Sequence, residues 1–177
     1  MKKMILAAAI VCAAAVTQAS TVIWGLASGT TVDKTAYASG TAYLICTESL
    51  AKASFTDADA AAAWYKANSS SLADKALLTG SVTDGAIYQS DSKDEAIGRK
   101  SYWLVIVAGD EKNFAVSTTT KALNITTSTL NVSALWNGSS AAGAQMTSFA
   151  TTSVPEPTSG LMLLLGIAGL ALKRKRA

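Results

Sequence analysis

The C-terminal segment marks where the folded part of this chain is predicted to end. It has three parts: a proline-containing motif, an apolar run over residues 160–172 and a basic cluster. The motif is Val154, Pro155, Glu156 and Pro157, and the cluster is Lys173, Arg174, Lys175 and Arg176. Both prolines of the chain lie in the motif, where they interrupt regular secondary structure. The sequence therefore predicts that the folded body ends before residue 154.

The apolar run is predicted to enter a membrane. An unbroken apolar segment that ends in basic residues is typical of a helix whose far end stays in the cytoplasm. Its thirteen residues would form a helix about 20 Å long, against about 30 Å of hydrocarbon. Extension back to residue 158, or basic side chains that reach the interface, would close this gap. We therefore expect a transmembrane helix over about 158–172, and the alternative of a buried globular helix lacks an amphipathic period.

The first nineteen residues are typical of a secretory signal peptide with an apolar helix. Lys2 and Lys3 supply positive charge, residues 4–16 are apolar, and a small-x-small site ends at Ala19. Signal peptidase is therefore expected to cut between Ala19 and Ser20. A bacterial lipoprotein is the alternative, but its acceptor would be Cys12, in the middle of the apolar run.

The three-part C-terminal segment resembles the PEP-CTERM sorting signal of Gram-negative and related bacteria. The resemblance rests on the motif at 154–157, the apolar run and the basic cluster at 173–176. It implies recognition by an inner-membrane processing enzyme, exosortase, and removal of the segment near the Pro-Glu-Pro motif. It also implies delivery to the cell surface or extracellular matrix, often among polysaccharide. Such signals are appended to unrelated domains, so a likeness over 24 of 177 residues describes sorting and not the body.

The charge of the chain divides between its ends and its body. Six of the fifteen basic residues lie in the two end segments. Residues 20–154 therefore carry nine basic and eleven acidic side chains, a net charge of −2. A body of this charge offers no electrostatic basis for binding nucleic acid, so we expect no nucleic-acid partner.

The residue types of the body exclude several classes of site. The chain has no histidine, which removes Ser-His-Asp triads and histidine-ligated zinc. Cys46 is the only cysteine after the signal peptide, and its apolar surroundings predict a buried thiol without a disulfide. Two acidic pairs in predicted loops, Asp94 with Glu95 and Asp110 with Glu111, are the remaining basis for a carboxylate-dependent hydrolase. We predict no catalytic residue, no cofactor and no metal site.

Three apolar runs predict strands in the body of the chain. They cover residues 21–27, 41–47 and 102–108, and the last is hydrophobic enough to be covered on both faces. Turn residues at 109–113 follow it, which predicts an antiparallel hairpin. We therefore expect an α+β fold based on a predominantly antiparallel sheet or a sandwich-like body.

Two capping signals predict short helices inserted between the strands. Thr56 precedes one at about 57–67, and Ser71 precedes the other at about 72–78. Residues 138–153 are rich in Ser, Ala, Gly and Thr, which predicts a flexible spacer. The predicted organisation is a signal peptide over 1–19, one globular domain over 20–137, the spacer over 138–153 and the sorting segment over 154–177.

The four tryptophans are the main candidates for contacting a ligand. Trp64 and Trp103 lie in helical or apolar contexts, where packing in the core is expected. Core packing is the default for all four, and if any is exposed the context favours Trp24 and Trp136, which are the candidates for stacking on sugar rings. The first functional hypothesis is an exported, non-enzymatic surface or matrix protein with a structural or interaction role. The alternatives are a carbohydrate-binding module of an extracellular polysaccharide matrix and an unprocessed protein anchored by a single membrane span.

Overall fold

A computed structural model of the protein describes residues 19–93, 96–126 and 131–152. These residues form nine strands and one helical segment. The strands are β1 (Ser20–Leu26), β2 (Ser39–Cys46), β3 (Ala76–Thr83), β4 (Tyr88–Lys93), β5 (Gly98–Ala108), β6 (Asn113–Ser117), β7 (Lys121–Ile125), β8 (Asn131–Trp136) and β9 (Met146–Ala150). The helical segment joins α1 (Ala58–Asn68), a 3-10 turn (Ser69–Ser71) and α2 (Leu72–Lys75). The predicted signal helix and membrane helix lie outside the described residues.

The strands pair into two sheets, and nearly all of the pairing is antiparallel. In the smaller sheet, β1 lies between β4 and β8 and runs parallel to β8. The larger sheet has the order β3-β2-β5-β6-β9. β7 joins it as well, because the first half of β5 pairs with β7 and the second half pairs with β6. The expectation of a sheet-rich α+β body is confirmed.

The larger sheet is covered on both faces. One face and the smaller sheet together enclose the inter-sheet core, which includes Trp24, Leu104 and Trp136. The other face packs against α1 and forms the helix-side core, which includes Trp103 and Phe114. The last seven residues of β5 are all buried, because alternate side chains enter the two cores. The expectation that this strand is covered on both faces is therefore confirmed.

The first predicted helix lies within one residue of its expected bounds. Its N-cap is Asp57, whose carboxylate accepts a hydrogen bond from the backbone N–H of Ala60 at 2.7 Å. This bond holds the pKa of the Asp57 carboxyl below its usual value. Ala61 and Tyr65, one turn apart, are buried in the helix-side core. The helix thus forms one outer layer of the body.

The second predicted helix, at about 72–78, is wrong beyond its first turn. Ser71 does not cap α2, and its hydroxyl donates to the carbonyl of Asn68 instead. The residues that follow form β3, in which Leu78 lies opposite Leu44 of β2. β3 covers an edge of β2 that would otherwise lack sheet partners on that side. Pairing with β2 therefore overrides the helix preference of this Ala- and Leu-containing segment.

The prediction of a flexible spacer over 138–153 is wrong for most of that range, because these residues belong to the folded body. β9 pairs with β6, and its first residue, Met146, is buried in the inter-sheet core. Phe149 packs against the helix-side core. In the loop before β9, the backbone N–H of Ser140 donates to the carbonyl of Thr31 at 3.0 Å. The body therefore continues to the end of β9. This edge strand pairs with β6 and packs Met146 against one core and Phe149 against the other.

Candidate functional site

The two tryptophans considered as candidates for stacking on sugars are both fully buried. Trp24 lies on β1 and Trp136 on β8, and both rings belong to the inter-sheet core. Trp24 Nε1 donates to the carboxylate of Asp91 at 2.6 Å, and Trp136 Nε1 donates to the carbonyl of Thr119 at 2.9 Å. Each indole N–H thus has a partner inside the fold, as buried tryptophans usually do. Neither ring is therefore available to stack on a sugar, and the stacking role considered for this pair is wrong.

Trp64 is half-buried and lies among aromatic rings between α1 and the larger sheet. Its ring centroid is 5.7 Å from that of Trp103 and 5.8 Å from that of Phe114. Phe55 and Phe149 extend the group, with their centroids 5.0 Å apart. These separations are those of packed aromatic side chains. We therefore assign the group to the core and not to a binding site.

Several acidic residues of the described chain have structural partners. Asp110 lies in the turn between β5 and β6, where its carboxylate accepts a bond from the backbone N–H of Lys112 at 3.0 Å. Glu48 forms an ion pair with Lys100 at 2.6 Å, and this contact raises the pKa of the Lys100 amine. The acidic pair at 94–95 lies outside the described residues. Across the residues that are described, no three His, Cys, Asp or Glu side chains come together to hold a metal.

Cys46 is buried at the end of β2, as predicted, opposite Tyr102 of β5. The Tyr102 hydroxyl is also buried, and it has no hydrogen-bond partner within the described ranges. Burial raises the pKa of Tyr102 to about 12. A phenol with this pKa stays protonated and uncharged at neutral pH, which suits the buried position of Tyr102.

Tyr88 differs from these aromatic residues because its side chain is exposed. It is 57% exposed, and no other large apolar side chain in the described part of the chain is classed as exposed. It begins β4, opposite Gly25 of β1. Beside it lies a groove of about 320 Å³, lined by residues 26–30 and by Ala86 and Ile87. Sequence reasoning missed Tyr88, although the alternation of Ser and larger polar residues along β4 is a signal that this strand has an outward face.

A second groove, of about 620 Å³, lies where the chain leaves the body. It is lined by residues of α1, including Tyr65 and Lys66, and by Thr151 and Thr152. Thr152 is the last described residue, and the next residue begins a match to a known family. A family model described as "PEP-CTERM protein-sorting motif" matches residues 153–176. The chain carries a PEP-CTERM sorting motif.

The PEP-CTERM motif implies an exported protein that is targeted by exosortase and passes through the membrane to the cell surface. It agrees with the resemblance seen at 154–157 and 173–176. Comparisons with curated proteins and with solved structures gave no match. Among the described residues, no helix is long and apolar enough to cross a membrane, and the span predicted over about 158–172 lies outside them.

Proposed function

We propose that this PEP-CTERM protein is a non-enzymatic surface or matrix protein whose sorting segment is removed after export. The observation that carries the proposal is the position of the motif, which begins three residues after the end of β9. Every described strand pairing is complete before the motif begins. Removal of the sorting segment would therefore leave the two sheets and α1 whole.

The short connection would hold the body close to the site of processing. Pro155 lies five residues after Ala150. An extended chain spans at most about 3.6 Å per residue, so this connection reaches no further than about 18 Å. Thr151 and Thr152 leave the body beside α1. Cleavage near the motif would therefore take place next to this side of the folded body.

At the N-terminal end of the body, the predicted cleavage site also lies just outside the fold. Ser20 is buried at the start of β1, and its hydroxyl donates to the backbone carbonyl of Thr126. The predicted cleavage between Ala19 and Ser20 would leave β1 intact. Both processing steps would therefore cut next to, and not within, the folded body.

The roles of the carboxylates support a non-enzymatic body. Asp57 caps α1, Asp91 accepts a bond from a buried indole, and Asp110 orders a turn. A carboxylate-dependent hydrolase instead needs two acidic groups that flank a substrate. Hydrolytic activity of the purified protein that Asp110→Asn abolished would contradict this part of the proposal.

Intact-mass analysis of the protein recovered from the cells and the medium together tests the processing step. The wild-type product should lack residues 161–177. Replacing the motif residues together, by Pro155→Ala with Glu156→Ala, should leave those residues attached. Asp74→Ala is the control, because it removes an exposed carboxylate from α2 and leaves the motif unchanged. A wild-type product that retains 161–177 would contradict the proposal and favour the protein with an uncleaved single-span anchor.

A further inference from the structure

We propose that the outer face of the smaller sheet binds an uncharged polysaccharide chain, with Tyr88 as the stacking residue. The class of ligand follows from the chemistry of this face. The inference rests on the proposed function only for the compartment, because export would bring the face into contact with extracellular polymers.

Among the described residues, the exposed side chains of the outer face carry no charge, and they lie around the half-buried Ile23 and Leu135. The register of β4 and β8 on β1 places Ser90 and Ser133 on either side of Ile23. The exposed side chains that the two outer strands present are Tyr88, Ser90, Ser92, Asn131 and Ser133. Hydroxyl and amide groups both donate and accept hydrogen bonds, which suits the many hydroxyls of a sugar chain. A charged polymer would find no opposite charge among these five side chains.

Tyr88 adds an apolar surface to this polar face. The residue is 57% exposed and lies at one end of the row of serines on β4. A tyrosine ring combines an apolar face with a polar tip. The C–H face of a pyranose ring is apolar while its rim is hydroxylated, so the two surfaces are complementary.

The groove beside Tyr88 has a wall that is held in place before any ligand binds. The Thr30 hydroxyl donates to the carbonyl of Ala27 at 2.8 Å and accepts from the backbone N–H of Gly138 at 3.0 Å. The backbone N–H of Thr31 donates to the hydroxyl of Ser140 at 2.9 Å. These bonds tie the loop after β1 to the loop after β8. A preformed wall lowers the entropic cost of binding.

Gly25 keeps the two strands close together behind Tyr88. Its φ is +121°, and a Cβ at this position would lie 2.5 Å from the carbonyl oxygen of Ile87. Leu26 donates its backbone N–H to the same oxygen at 2.7 Å. Only glycine permits this approach, and it fixes the backbone that presents Tyr88.

Affinity electrophoresis of the full chain in mild detergent tests the proposal. The uncharged probes are dextran, laminarin, galactomannan and hydroxyethylcellulose, and alginate is the anionic comparison. At least one uncharged polymer should retard the wild-type protein, and alginate should not. Tyr88→Ala should weaken that binding about tenfold, whereas Tyr88→Phe keeps the ring and should bind within about threefold of wild type.

Two controls separate binding from folding. Thr79→Ala changes an exposed residue of β3 on the larger sheet and should bind as wild type does. Thermal unfolding of each variant should show an unchanged midpoint, because Tyr88 is exposed and packs little against either core.

Several results would overturn the inference. These are a lack of retardation by all four uncharged polymers, tighter binding to alginate, or equal binding by wild type and Tyr88→Ala. Self-association of the wild type that Tyr88→Ala abolished would assign the face to a second copy of the chain instead. Because the full chain is used, failure to bind would leave the processing proposal standing. Retention of the sorting segment in cells would likewise leave a measured affinity unaffected.

Discussion

At the scale of single residues, the direction of a side chain decides which aromatic residues are available to a ligand. Trp24 and Tyr88 lie on neighbouring strands of the same sheet, yet Trp24 is fully buried and Tyr88 is exposed. The residue type alone does not separate the two cases, because an aromatic residue suits either face of a strand. Register decides the outcome, since a shift of one residue exchanges the faces. For this reason the sequence alone could not tell that Trp24, a stacking candidate, is buried.

The bond between Trp24 and Asp91 gives a test at this scale. Asp91→Ala would leave the buried Trp24 Nε1 without its acceptor, which should lower the free energy of unfolding by about 1–3 kcal/mol. Asp91→Asn keeps an acceptor oxygen and should lose less than Asp91→Ala. Ser92→Ala, at the exposed neighbouring position, should change stability by less than about 0.5 kcal/mol. Urea unfolding followed by tryptophan fluorescence measures all three, and equal values for Asp91→Ala and Ser92→Ala would show that the bond contributes nothing.

At the scale of elements, local signals succeed where an element is stabilised by its own residues. α1 begins directly after its N-cap, Asp57, because the capping bond forms within four residues. β5 is recognisable because a continuous apolar run suits a strand covered on both faces. β3 and β9 are different. β3 takes residues that were predicted as helix, and β9 takes residues that were predicted as spacer. Both strands are stabilised by partners distant in the chain, β2 and β6, and a local reading of residue types does not reveal such partners.

β9 supplies a test at the scale of elements. If residues 146–150 are a strand packed against the helix-side core, Phe149→Ala should lower the free energy of unfolding by about 2 kcal/mol or more. Thr147→Ala, at an exposed position of the same strand, is the matched control and should have little effect. Chemical denaturation compares them. A flexible spacer would instead make the two variants equally stable.

At the scale of the whole molecule, the body is three layers: the smaller sheet, the larger sheet and α1. The larger sheet lies in the middle and supplies side chains to both cores. β1 and β8 close the smaller sheet by pairing in parallel, although more than a hundred residues separate them. This pairing brings the loops that follow the two strands together, and the backbone N–H of Gly138 thereby holds Thr30, which lines the groove beside Tyr88. The candidate binding face is therefore a product of the complete fold.

The same layered arrangement predicts that the body is stable without its sorting segment. A chain that ends at Thr152 keeps every described strand and both cores. Its thermal midpoint should lie within about 2 °C of the full chain in the same mild detergent, a difference of about 0.5 kcal/mol at most. Differential scanning calorimetry of the two proteins makes the comparison. A large drop on removal of residues 153–177 would mean that the body depends on the sorting segment.

The sequence by itself determined the sorting of this protein, the bounds of α1 to within one residue, the burial of Cys46 and the double coverage of β5. Each of these is encoded in consecutive residues, so no knowledge of distant partners is needed to predict it. Only the tertiary structure decided that Trp24 and Trp136 are buried, that β3 and β9 are strands, and that Tyr88 is exposed on an uncharged face. The physical reason is that strand pairing and the face of each side chain depend on residues far away in the chain.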